Sequence, residues 1–198
     1  MNNNHHIESR DLPFIVDIRK HMPLSDLDEQ QLRCSLRWVK FRRGQTIDRQ
    51  NDLLRQMIFI ASGSARTFYI DKGKEYNFSF TFAPHFLIKP HGLISLKERM
   101  IFVQFMEDTE VCYIPVNSLD NNADIATAEI YKFIAESIGN YADYLEELVV
   151  MLRMDARQRY EWVINKYPRL LKLISITQLA SFLNVTKETL YRIRSGKY

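Results

Sequence analysis

From Thr186 to Ser195 the chain carries Thr186, Lys187, Glu188, Tyr191, Arg192 and Ser195 at spacings that share one side of a helix, since successive helical residues step by about 100°. The chemistry of that side is hydrogen-bond recognition. Arg and Lys can donate to guanine O6 and N7, and a carboxylate such as Glu188 can accept from cytosine N4, so both signs of base-edge information are available. Leu190 and Ile193 fall on the opposite side and are apolar, as a helix that must be held from behind requires.

The segment before it supplies the support. Taking Ile176 as the first position, apolar residues fall at Leu179, Ala180, Leu183, Val185, Leu190 and Ile193. Ala180 is small where two helices would cross most closely. Asn184 is one of the few non-glycine residues that tolerate positive φ, which a sharp bend between helices needs. Thr186 then caps the second helix through its hydroxyl. Core, crossing, turn and cap together read as a helix-turn-helix, whose second helix enters the major groove of duplex DNA. The plainer alternative is a helical hairpin packed into a larger domain.

Charge is distributed in the same sense. Residues 155–198 hold nine Lys and Arg against three acids, a net of +6, within a chain whose total is +3, so the remainder carries −3. A basic end on a slightly acidic body suits phosphate contact. Catalysis finds no support: there is no nucleophile elbow, Walker loop, His-Glu-x-x-His or dinucleotide fingerprint. Cys34 and Cys112 are too few for a disulfide framework or a four-cysteine site. No cofactor or metal is expected. No apolar run approaches the roughly 20 residues that span a bilayer, and the start of the chain lacks the regions of a signal peptide. The expectation is a cytoplasmic protein with no membrane partner.

At 198 residues and 46% hydrophobic content there is room for about two domains. Three regions are expected. Residues 1–122 contain short apolar or alternating runs separated by turn residues, such as 36–41, 57–60, 65–70, 76–82, 101–106 and 111–114, which suggest an antiparallel barrel or sandwich. Asp71-Lys72-Gly73-Lys74 between two of these runs is a hairpin turn. Residues 123–154 read as one long helix. On it Ile134, Ile138, Tyr141, Leu145, Leu148 and Leu152 recur at spacings of four and three, the seam of a two-stranded coiled coil and so of a homodimer; Tyr144, Val149 and Met151 widen the stripe toward the barrel, and the plainer alternative is a long helix packed on its own domain. Residues 155–198 hold the helix-turn-helix.

This arrangement resembles the family of bacterial transcription regulators typified by the catabolite activator protein and the fumarate-nitrate regulator, the Crp/Fnr family. Leu24–Leu32 is similar to the family's entry helix, Phe41–Ile47 to its strand opening, Ile58–Arg66 to its "apolar, x, x, Gly, x, apolar, Arg" stretch, and Glu107–Val111 to its final barrel turn. The segment from Asp155 through Pro168 resembles the short regulators common in the Bacteroidetes. The resemblance implies an α+β chain: an N-terminal antiparallel double-stranded β-helix, a jelly-roll barrel of cyclic-nucleotide-binding type; a long dimerisation helix; and an all-α helix-turn-helix domain. It implies a near-palindromic operator and base reading by Lys187, Glu188 and Arg192, with RNA polymerase and a small-molecule effector as further candidate partners.

The family's nucleotide cassette is broken here. The residues aligned with its Gly, Glu, Arg and Ser or Thr are Ile88, Lys89, Arg99 and Met100. Ile88 blocks close backbone approach, and Lys89 cannot accept from a ribose hydroxyl. Cyclic AMP is not the expected ligand; His85, Lys89, His91 and Arg99 are candidates for an anion site instead. Only Gly196, Lys197 and Tyr198 follow the recognition helix, so DNA contacts are expected from the two helices and their flanks. The competing reading is a signal-binding or protein-interaction barrel that no longer binds DNA.

Overall fold

The computed structural model of the chain describes residues 11–21, 23–48, 51–87, 101–115 and 142–197. Two helices, α1 (Leu12–His21) and α2 (Asp26–Ser35), lead into strands β1 (Arg37–Phe41), β2 (Thr46–Asp48), β3 (Met57–Ser62), β4 (Ser64–Asp71), β5 (Lys74–Phe82), β6 (His85–Phe86), β7 (Ile101–Phe105) and β8 (Thr109–Ile114). They form two four-stranded sheets with orders β1-β8-β3-β6 and β2-β7-β4-β5, every pairing antiparallel. The expected antiparallel layers are present.

Alternation sorts the strand residues. Ile58 and Ile60 of β3 turn inward with Ala65, Val103, Phe105 and Val111. Phe59 and Cys112, one step out of phase, turn outward and are nevertheless fully buried, because α1 lays Phe14, Ile15 and Ile18 over them. Phe14 meets Phe59 edge to face at 5.4 Å between ring centroids. The β4–β5 hairpin turns at Lys72 and Gly73, both at positive φ (49° and 75°), the backbone of a two-residue primed turn. Gly63 joins β3 to β4 at φ +89°, where a Cβ would lie 2.4 Å from Thr109 Oγ1 and 2.7 Å from the Asp108 carbonyl, so no other residue fits there unstrained.

After the sheets, residues 142–153 form helix α3. Asp155 ends it and opens α4 (Ala156–Lys166) by a capping box with Gln158. Then follow α5 (Leu170–Leu173), α6 (Ile176–Leu183) and α7 (Lys187–Arg194). Their core is continuous with the sheets: Phe80 and Met106 from the strands and Met151 from α3 pack with Val163, Leu170, Leu179, Leu183 and Leu190.

Candidate nucleic-acid interface

The helix-turn-helix forms for local reasons first. Ser175 accepts from the Gln178 N–H while the Gln178 side chain accepts from the Ser175 N–H, fixing the start of α6. Asn184 stops it in the left-handed region (φ 52°, ψ 51°), and the Val185 N–H donates to the Ala180 carbonyl at 3.0 Å. Thr186 starts α7 by accepting from the Thr189 N–H at 3.1 Å. Leu179, Ala180, Leu183, Leu190 and Ile193 are buried and Val185 is half-buried. Their burial fixes which side of α7 faces out.

On that outer side Thr186, Lys187, Glu188, Tyr191, Arg192 and Ser195 are all exposed, Tyr191 at 57%. Two of the six have local duties. The Thr186 hydroxyl is the cap, and the Ser195 hydroxyl donates to the Arg192 carbonyl at 3.1 Å, closing the end of α7. Glu188 is held below the ordinary carboxylate value, first by its own backbone N–H and then by the Thr186 hydroxyl, at a helix start where the dipole favours negative charge. Lys187, Glu188, Tyr191 and Arg192 stand exposed along this side. Arg194 and Lys197 add exposed positive charge at the far end of α7, a contribution the face-by-face reading of the sequence passed over.

The other helix of the pair is turned the opposite way. Strand β5 is the edge of its sheet, and α6 lies along it. The Asn77 N–H donates to Ser181 Oγ at 3.2 Å, Ser181 Oγ donates to the Glu75 carbonyl at 2.7 Å, and Asn77 Nδ2 donates to the Gln178 carbonyl at 3.1 Å. Phe80 and Phe182 meet edge to face at 4.8 Å. Opposite β4, the register skips one residue between Asn77 and Ser79; Phe78 is the bulged residue, and its carbonyl accepts from the Tyr144 hydroxyl of α3. Asn77 Oδ1 in turn accepts from Arg66, which is 2% exposed and also bonds Gln104 Oε1 at 2.8 Å and Glu75 Oε2 at 2.7 Å. Further along, Arg169 Nη2 reaches Glu107 at 2.7 Å, and the same carboxylate accepts from Ser64 Oγ at 2.6 Å. This contact occupies α6 and leaves the outer side of α7 open.

Among solved structures the fold recurs over most of the chain. The chain is similar to a protein from Eubacterium rectale assigned to the Crp/Fnr family of transcriptional regulators (TM-score 0.64, 13% identity, 89% of this chain and 87% of that one). It is also similar to FixK2 from Bradyrhizobium japonicum (TM-score 0.63, 16% identity, 81% and 83%). A cyclic nucleotide-binding domain-containing protein from Listeria monocytogenes gives a TM-score of 0.61 at 14% identity, covering 94% and 89%. The chain has the Crp/Fnr fold. No family model matches its sequence, and no curated protein does either.

In the Crp/Fnr fold of this chain, α3 has two distinct sides. Tyr144 and Met151 are buried against the sheets and the helix-turn-helix. Leu145 (43% exposed) and Leu152 (81% exposed) face away, and so does Val149, which the sequence placed toward the barrel with Tyr144 and Met151; Leu148 is half-buried. The other three seam positions, Ile134, Ile138 and Tyr141, and the four cassette positions, Ile88, Lys89, Arg99 and Met100, lie outside the described residues, as does His91; His85 is exposed on β6. Cys34 is exposed and Cys112 buried, both free thiols. Among the described residues no group of three or more His, Cys, Asp or Glu could hold a metal ion, and no helix is long and apolar enough to cross a membrane.

Proposed function

We propose that the chain is a homodimeric, sequence-specific DNA-binding transcription regulator of the cytoplasm, without catalytic activity. Residues 1–122 form its effector barrel, 123–154 its dimerisation helix and 155–198 its DNA-binding domain. The observation that carries this reading is the division of α7: Leu190 and Ile193 buried on one side, Lys187, Tyr191 and Arg192 exposed on the other, on the second helix of a turn built by Asn184 and Thr186. A helix so mounted offers cationic and hydroxyl donors to base edges in the major groove.

Dimerisation is supported by Leu145, Val149 and Leu152, large apolar side chains at i, i+4 and i+7 that are exposed on α3. Such a stripe costs free energy in water unless a twin covers it. The effector is a small molecule other than cyclic AMP, because Lys89 and Met100 stand where the nucleotide cassette needs an acceptor and a hydroxyl.

A gel shift on promoter fragments of the chain's own operon, run over a salt series, tests the reading. Phosphate contacts make the affinity fall steeply with salt, and one fragment is retained well above the rest. If no fragment shifts even at low salt, or all shift alike, the regulator reading fails.

A further inference from the structure

We propose that the cleft between the sheets and the helix-turn-helix binds a small phosphate-bearing metabolite. This cleft is distinct from the barrel interior. It has a volume of about 430 Å³, within the range of about 300–1,000 Å³ typical of small-molecule sites. Arg43, in the turn between β1 and β2, lines it from the sheet side, and Lys172 on α5 lines it from the helical side. Arg66 forms part of the wall between them, and none of the lining residues is a carboxylate.

The charges in this wall are unequal. Arg66 is already paired with Glu75 and bonded to Gln104 and Asn77. Among the described residues neither Arg43 nor Lys172 takes part in an ion pair; Asp108 meets Arg43 only through its backbone N–H, at 2.9 Å. Two uncompensated cations thus face one cleft from opposite sides, an arrangement that repels a third cation and suits a dianion able to accept from both. Ser175 and Gln178 at the start of α6 also line it, adding the positive end of the helix dipole. Phe105 and Met106, both buried, back the wall, and half-buried Leu173 and Ile174 give an organic group some apolar surface.

Because Arg43 belongs to the sheets and Lys172 to the helical region, an occupant links the two and strengthens the contact that α6 makes with β5. The proposal does not depend on DNA binding, since its test uses the protein alone. Thermal unfolding of the full chain is followed with inorganic phosphate and with phenyl phosphate at millimolar concentration, against chloride at matched ionic strength. Both raise Tm saturably, phenyl phosphate more. The Arg43→Ala/Lys172→Ala variant, altered only at exposed side chains, keeps its own Tm and loses about tenfold or more in phosphate affinity. The Lys187→Ala/Arg192→Ala variant keeps the shift. No rise beyond chloride overturns the proposal. So does an equal rise in the Arg43/Lys172 variant, or loss of the rise in the Lys187/Arg192 variant, which would place the anion on α7.

Discussion

Ser181 and Asn77 join the helical region to the edge of a sheet through main-chain groups: the Asn77 N–H donates to the Ser181 hydroxyl, and that hydroxyl donates to the carbonyl of Glu75 two residues back. An edge strand carries unpaired donors and acceptors that invite a second chain. Here one hydroxyl on α6 meets one of each. The skipped register at Phe78 is what frees a neighbouring carbonyl to take the Tyr144 hydroxyl, so the bulge serves the docking of α3 and α6 together.

Ser181→Ala therefore leaves two backbone groups to find water. The expected loss is about 1 kcal/mol, the usual net value of such bonds, with faster amide hydrogen exchange in α6 and β5 and no change within β1, β3 and β8. Exchange in α6 identical to that of the parent protein would show that the hydroxyl does not hold the contact.

Arg66 is a harder group to replace. Its guanidinium serves Gln104, Asn77 and Glu75 and lies 4.0 Å from the centroid of the Phe68 ring. Lysine has one compact ammonium and cannot reproduce the fork. Arg66→Lys is expected to cost about 2–4 kcal/mol, since buried acceptors lose their donors, and to lower Tm by at least several degrees. A Tm unchanged within error would mean that the network is dispensable.

Cys112 is buried behind α1, and its thiol is pushed up to about 12, first by desolvation and then by the charges of Asp11 and Glu110. The thiolate is the reactive species. Iodoacetamide at pH 8 is expected to label exposed Cys34 in the native protein and spare Cys112, with both labelled in denaturant; mass spectrometry reads the difference. Native labelling of Cys112 at the rate of Cys34 would contradict the burial.

Tyr167 is likewise raised from 10.0 to about 12, by burial first and the Glu147 charge second. A raised folded value means that the unfolded chain gives up this proton earlier. Its contribution to stability is complete below pH 10 and is lost as pH rises toward 12. Tyr167→Phe is expected to flatten the fall of Tm across that window; parallel curves for the two proteins would refute the assignment.

The helix-turn-helix was legible because each of its positions answers to a local rule: Asn184 for the left-handed bend, Thr186 for the cap, Leu183 and Leu190 for the core. The strands from Leu36 to Ile114 were legible by alternation and turns, Gly73 above all. Helix α1 was not foreseen. Phe14, Ile15 and Ile18 form a short apolar cluster beside Pro13, and only the outward Phe59 and Cys112 on distant strands give that cluster a partner. The α6–β5 contact was equally hidden, since it runs through backbone atoms and a bulge that no residue type announces. Of the six residues assigned to the outer side of α7, Thr186 and Ser195 bond the backbone at the helix's own ends through their hydroxyls, and sequence alone singled out only the first.

The seam is tested where the single chain leaves it open. Leu145 (43%) and Leu152 (81%) are exposed on α3, so Leu145→Glu with Leu152→Glu leaves the buried core of the protomer untouched. Buried in a dimer, the two charges cost several kcal/mol unless paired. Light scattering at tens of micromolar is expected to show a dimer for the parent chain and a folded monomer for the variant. A monomeric parent or a dimeric variant places the interface elsewhere.

The sharpest test is base reading by Arg192. In a dimer the two α7 helices meet successive major grooves about 34 Å apart, which requires a near-palindrome with half-sites about ten base pairs apart, centre to centre. Arg192→Ala is expected to cost about 1–3 kcal/mol on the cognate site and to relax preference at one base pair in each half-site. Glu188→Ala is expected to relax preference at a base pair where the exposed carboxylate accepts from cytosine N4. Lys197→Ala, at the exposed end of the helix, should weaken all sequences alike and reduce the salt slope by about one. Selection from a randomised site distinguishes the three: a single recovered motif shared by the parent and Arg192→Ala at equal affinity would mean that α7 does not read bases through this residue.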